Sequence, residues 1–419
     1  MSSEDKKHHT AVLLPTARVM LFTRDAESKE AFMALAQDWR FARVDLAAKE
    51  GDIDLAISTF ESETSPELVL VQTDKVDDAF SQKLEALSGT CAAGTAAIVV
   101  GPVNDVNLYR KLVGMGVSDY LVRPLKTGPL GDDIAATLLE KMGAGESRLI
   151  ALVGAKGGVG TTVLAEGLAW GLAGRLDQKT FLLDASGGWS TLSVGMNFEP
   201  TTTLAESVRA AVEGNEDSLS RMMFQPSDKL TVLSSGGDVM LEDIVQPQGY
   251  EILLDHIMST YPVVIADLSA SPAALKRTVI ARAHEIMLVT TPVLSAIRAT
   301  RSLIHEIKLL RGASDAAVDV VVNMVGLSPK TELPKSQIEE GLGRKAAAMI
   351  NFDPDLFIKT ESEGHKLVED KDGAEAVEKL LVLARKAVAI ADDAVPAASE
   401  NADGKGGLGR FMSRLKARS

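Results

Sequence analysis

The strongest chemical signal in the chain is the run Gly154-Ala155-Lys156-Gly157-Gly158-Val159-Gly160-Thr161-Thr162. Glycines at 157, 158 and 160 admit positive φ and let backbone approach a ligand closely, so successive N–H groups can surround a phosphate. The Thr162 hydroxyl is placed to ligate the Mg2+ that accompanies such a phosphate. Against the phosphate-loop pattern G-x-x-x-x-G-K-[S/T], Ala155 stands at the first glycine and Thr161 at the lysine, and Lys156 is the loop's one cation. Phosphate binding is the chemistry expected, and the plain alternative is a tight glycine turn with no ligand.

The elements around the loop have the order such a site requires. A buried strand over 148–153 precedes it, and Val163, Leu164, Leu168 and Leu172 form a helical apolar stripe after it. The loop therefore sits at a helix N-terminus, where the peptide dipoles favour an anion. Near-continuous apolar strands are expected at 180–184, 230–234, 263–267, 285–290, 318–323 and 346–350, alternating with helices. That pattern implies a mostly parallel sheet covered on both faces. Upstream, strands at 18–22, 68–71, 97–100 and 119–123 alternate with helices at 28–38, 79–87, 106–114 and 129–142.

Lys156 within Lys-Gly-Gly-x-Gly resembles the signature lysine of the ParA/MinD family, P-loop ATPases whose deviant Walker A loops bind ATP between two subunits of a dimer. Leu182-Leu183-Asp184 is similar to that family's second strand, Val263 to Asp267 to its Walker B strand, and Val321-Val322-Asn323 to the strand whose Asn contacts adenine. The resemblance implies ATP and Mg2+ as ligands, a homodimer, Thr162 and Asp267 on the metal, Asp184 positioning the metal or its waters, and Asn323 on the base. It makes Lys156, Asp184 and Asp267 the catalytic candidates, and Lys156, Gly157, Gly158, Val159, Gly160, Thr161, Thr162 and Asn323 the nucleotide-binding ones. A strand-end Asp184 could instead cap a turn, and Asn323 could serve buried backbone groups. Two departures point to weak or absent hydrolysis. Thr161 replaces the second lysine, and Ser186 stands where active relatives carry a water-orienting Asp.

The amino-terminal β/α units, ending in Tyr120-Leu121-Val122-Arg123-Pro124, resemble a response-regulator receiver, a flavodoxin-like fold. In that alignment Gln72 occupies the phosphoacceptor Asp position, Thr23-Arg24 the acidic metal pair, Gly101 the hydroxyl residue and Arg123 the lysine. Phosphotransfer is therefore expected to be lost, unless Asp25 or Asp74 serves after a shift in register. With Asn323-Met324-Val325-Gly326 and Ile350-Asn351-Phe352-Asp353, the whole resembles the CpaE/TadZ proteins of Flp (tight adherence) pilus assembly. That resemblance implies pilus or secretion machinery, or a polar landmark protein, as partner.

The 419 residues exceed the usual single-domain size of roughly 100–200. The expected α/β organisation is a tail at 1–16, a degenerate receiver-like domain at 17–142 and a linker at 143–147. A doubly wound, mostly parallel P-loop ATPase domain follows at 148–392, then a tether at 393–405 and a basic amphipathic tail at 406–419. A formal charge of -14 disfavours nonspecific nucleic-acid binding. The single Cys91, expected as a buried small side chain, excludes an intramolecular disulfide. No secretory signal and no membrane-spanning run are apparent, so a cytoplasmic protein is expected. In the tail, Leu408, Phe411, Met412 and Leu415 share a face flanked by Arg410, Arg414, Lys416 and Arg418, a pattern suited to an anionic membrane surface or else to a solvated tail or a helix docked on another protein; the CpaE/TadZ resemblance implies that the membrane is at a cell pole. The leading expectation is an ATP-assembled localisation factor. The competing one is an active partitioning or positioning ATPase working on membrane or DNA.

Overall fold

Thirteen strands among the described residues fall into two sheets in a computed structural model that describes residues 13–75, 77–92, 94–141, 147–186, 190–236, 245–312, 317–363 and 366–388. Residues 1–12, most of the expected linker, and everything from 389 onward, including the tether and basic tail, lie outside the described residues.

The first sheet contains β1 (Ala17–Thr23), β2 (Val44–Glu50), β3 (Leu68–Gln72), β4 (Ala96–Gly101) and β5 (Asp119–Val122), all parallel in the order β2-β1-β3-β4-β5. This is one of the two common doubly wound orders, and its crevice lies where β1 meets β3. Both faces are apolar, with Phe32, Ile134 and Leu138 packing one side and Phe60, Phe80 and Leu112 the other.

The second sheet contains β6 (Arg148–Gly154), β7 (Thr180–Asp184), β8 (Phe224–Ser227), β9 (Leu230–Leu233), β10 (Val263–Asp267), β11 (Glu285–Thr290), β12 (Val318–Val325) and β13 (Ala348–Asn351). Its order is β13-β12-β11-β6-β10-β7-β9-β8, parallel except for the antiparallel β8–β9 pair. The strands bury large apolar clusters on both faces, as their unbroken Val, Ile and Leu runs require. Strand β6 lies between β10 and β11, so the winding reverses at its carboxyl end and opens a crevice there.

Several expectations need correction. The helix expected over 28–38 is Ala26–Met33, started by the Asp25 side chain accepting from Ser28 N–H and followed by a 3-10 turn at Ala34–Gln37. Strand β2 was not anticipated: Val-Asp-Leu-Ala-Ala-Lys-Glu is a half-buried edge without a continuous apolar run. Nor was β8, which contains Pro226, a residue that strands tolerate only at edges. Cys91 is half-buried and not fully buried as expected: it ends a helix and packs against the core that contains Phe80 and Leu112.

The two sheets share one compact unit that extends to Val388. Leu13 N–H donates to the Ala281 carbonyl at 2.9 Å, and Arg43 pairs with Glu251 at 2.5 Å. Helix Leu294–Leu310 leaves the carboxyl end of β11 and delivers the buried Arg311, whose guanidinium lies 5.6 Å from the Trp39 ring centre. Gly312 follows with φ +61, and a methyl group there would fall 2.3 Å from Trp39 Cδ1. The conformation and the close approach both select glycine.

Candidate functional site

The glycine loop closes the crevice at the end of β6. Ala155 N–H donates to the Val289 carbonyl at 2.8 Å, tying the loop to β11. Gly158 and Gly160 take φ of +76 and +83, and Gly160 starts helix Thr161–Arg175. A methyl group built on Gly157 or Gly158 would meet nothing within 4 Å, so this stretch of backbone faces open space at a helix N-terminus. Lys156 is exposed, with Nζ 3.4 Å from the Gly157 carbonyl. Thr161 is 4% exposed and its hydroxyl packs under Gly154. It therefore contributes its place in the backbone at the helix start, not a side chain reaching outward.

Asp184 and Asp267 end adjacent strands in register, and each is 1% exposed. Asp184 Oδ1 accepts from Ser186 N–H at 3.0 Å and from the Ser186 hydroxyl, and its Oδ2 accepts from Ser234 at 2.9 Å. Asp267 Oδ1 accepts from Ser269 N–H at 2.9 Å, while Oδ2 is buried with no hydrogen-bond partner. Burial, reinforced by the neighbouring Asp184 carboxylate, pushes the Asp267 pKa up to about 6. The Thr162 hydroxyl lies 3.0 Å from the Ser269 hydroxyl, which joins it to the same cluster. An orphaned carboxylate oxygen beside a hydroxyl is a donor set that fits Mg2+, a hard cation that takes oxygen ligands. No group of three His, Cys, Asp or Glu side chains forms a metal cage among the described residues. A Mg2+ here would complete its octahedron with phosphate oxygens and water, as is usual for that ion.

Sequence reasoning passed over Ser269 and Ser234, whose only signal was a hydroxyl just beyond each acidic or apolar strand. It did find Asn323, and of the two roles expected for that side chain the structure shows the contact with a buried backbone group. Asn323 is 1% exposed, and its Nδ2 donates to the Val159 carbonyl inside the glycine loop at 2.9 Å. Its Oδ1 is buried with no hydrogen-bond partner.

Among the described residues, the corresponding edge of the first sheet holds no free carboxylate at its centre. The Thr23 hydroxyl donates to buried Gln72 Oε1, and Asp25 is spent capping its helix, its carboxyl held below the usual range by Ser28. Arg123 pairs with Asp74 at 2.7 Å. Tyr120 donates to the Val103 carbonyl at 2.8 Å and lies over Gly101, where any side chain would collide with its hydroxyl.

Comparison with known proteins agrees with this geometry. Residues 147–320 match the AAA domain family model. The septum site-determining protein MinD of Thermotoga maritima is 26% identical over 222 residues, 51% of this chain and 79% of that protein. Among solved structures, a ParA family ATPase from Chlorobium tepidum superposes with a TM-score of 0.50 at 21% identity, over 56% of this chain and 99% of its own. A pilus assembly protein CpaE from Caulobacter crescentus is 28% identical over 30% of this chain and 97% of its own, with a TM-score of 0.29. The second sheet and its loop thus have the mostly parallel α/β fold of a ParA family ATPase, and the loop, with most of the sheet, lies within the stretch that matches the AAA domain model. No helix among the described residues is long and apolar enough to cross a membrane.

Proposed function

We propose that the chain is an ATP-binding localisation and assembly factor that dimerises around nucleotide and hydrolyses it slowly or not at all. The observation that carries the reading is the buried, unpartnered Asp267 Oδ2 next to a glycine loop with no lysine at Thr161. In this reading Thr162 and Asp267 hold Mg2+, and the N–H groups of Gly157 to Thr162 hold the phosphates. Mg2+ supplies charge neutralisation at the phosphates. Exposed Lys156 is free to reach a second subunit. Slow turnover is supported by two features. The Thr161 side chain is buried, and Ser186 donates to Asp184 and cannot orient water as a carboxylate does.

The amino-terminal sheet acts in this scheme as a receiver-like domain without phosphotransfer chemistry, and it selects a partner or a site. Its strand order, with Gln72, Gly101 and Arg123 at the receiver's functional positions, supports that role. The partner class, a Flp-type pilus or related secretion machine, rests on the CpaE/TadZ-like sequence pattern around Asn323 and Ile350. Dimerisation would present two basic 406–419 segments to an anionic membrane, and the avidity gained would couple nucleotide binding to location. The test is the mass of purified protein in solution without nucleotide, with Mg-ADP and with Mg-ATP, alongside steady-state phosphate release. A dimer with Mg-ATP and negligible release is expected. A monomer in all three states, or fast release, would overturn the proposal.

A further inference from the structure

Asn323 is buried at the carboxyl end of β12, 164 residues from the loop carbonyl it touches. Three features converge on that contact. Strand β12 carries a register shift between Val322 and Val325. Met324, directly after Asn323, takes φ +58, a conformation non-glycine residues adopt only at a cost. Gly160 has φ +83, and a methyl group on it would stand 2.5 Å from Asn323 Nδ2. The strand is thus distorted where it presents its amide, and the loop has no side chain where the amide arrives. The amide donates to Val159, between the two positive-φ glycines, and so restrains the part of the loop whose N–H groups face open space.

From this geometry we propose that Asn323 is a positioning residue for the phosphate loop: its amide latches the Val159 carbonyl and holds the loop N–H groups in their anion-accepting arrangement before any ligand arrives. The inference rests on the phosphate-binding reading of the loop. It assigns Asn323 to the phosphates and not to the base. A loop held ready loses less freedom on binding, so removing the latch weakens every ligand that uses the loop, whether or not it has a base. The buried Oδ1 of Asn323, which has no partner, stays available to a donor and does not alter this role.

The test compares Mg-ATP with Mg-tripolyphosphate, which has phosphates and no base, by titration calorimetry on the full chain. The proteins are native, Asn323→Asp and Asn323→Ala. The Asp variant keeps shape and volume and, when ionised, cannot donate to a carbonyl; because its charge would also repel both ligands, the uncharged Ala variant and the ligand-free deuterium uptake separate loss of the latch from repulsion. Both ligands are expected to weaken by a common factor of about tenfold, the usual consequence of one lost buried hydrogen bond. Deuterium uptake in the peptide spanning 154–162 of ligand-free Asn323→Asp is expected to quicken while the rest of the chain is unchanged. Loss of ATP affinity with tripolyphosphate affinity intact would make Asn323 a base contact and overturn the inference, as would unchanged affinities or unchanged uptake. If native protein binds neither ligand, the phosphate-loop reading falls first and takes this inference with it.

Discussion

Asp184 and Asp267 stand side by side at the ends of β7 and β10, both buried, and only Asp184 has hydrogen bonds to both carboxylate oxygens. The asymmetry divides their work. Asp184 is held by serines, while Asp267 has one oxygen without a hydrogen-bond partner and is destabilised as an anion by burial and by Asp184.

A pH-dependent stability difference follows for the ligand-free protein. The native Asp267 pKa of about 6 lies above its ordinary 3.8, so between those values the native state keeps a proton that the unfolded chain has released. Its contribution to stability therefore falls as pH rises from about 4 to 6. His284 acts oppositely in an overlapping window. Burial holds its pKa down to about 3, so stability is lost as pH falls below the ordinary 6.5. The Asp267 share is read as a difference: at pH 7.5 Asp267→Asn should exceed native protein by up to about 3 kcal/mol in urea unfolding, with the gap closing near pH 4. Mg-ATP should stabilise native protein and not the variant. A variant less stable than native at pH 7.5 would contradict the account.

Two loop glycines should respond differently. Gly160→Ala imposes a methyl group at φ +83 and against Asn323, and should cost about 1–3 kcal/mol and abolish nucleotide binding. Gly157→Ala meets nothing within 4 Å and should leave thermal stability within about 0.5 kcal/mol of native. Equal melting temperatures for the two variants would count against the loop conformation described here.

Lys156→Ala should leave the melting temperature unchanged, because the side chain is exposed, while eliminating the Mg-ATP-dependent dimer. Light scattering coupled to gel filtration reads the result. A dimer that persists would mean Lys156 does not reach across the interface.

A carboxylate introduced at position 72 should not create phosphotransfer chemistry. Gln72→Asp incubated with acetyl phosphate and Mg2+ should show no added phosphoryl mass, since Tyr120 lies over Gly101 and Arg123 is engaged by Asp74. A stable increment in intact mass would show that the pocket still supports transfer.

Removing the ring of Trp39 should cost about 1–3 kcal/mol, through the lost cation–π contact with Arg311 and the space left beside Gly312. Denaturant titration of Trp39→Ala against native protein measures it.

The sequence was most readable where burial is two-sided. The strands at 180–184, 263–267 and 285–290 are continuous apolar runs, and their bounds agree with β7, β10 and β11. The glycine loop was legible because its residues are consecutive in the chain and lie directly between a strand and a helix. Strands β2 and β8 were not, since an edge strand needs no unbroken apolar run. The Asn323 contact to Val159 and the seat of Trp39 on Gly312 were also invisible, because each joins residues more than a hundred positions apart and leaves no periodic trace.

Helix Leu294–Leu310 begins just after Thr290, one strand away from the glycine loop, and its far end meets Trp39 of the other sheet. Seventeen residues make a rod of about 25 Å. One helix thus connects the crevice side of the second sheet to a side chain of the first.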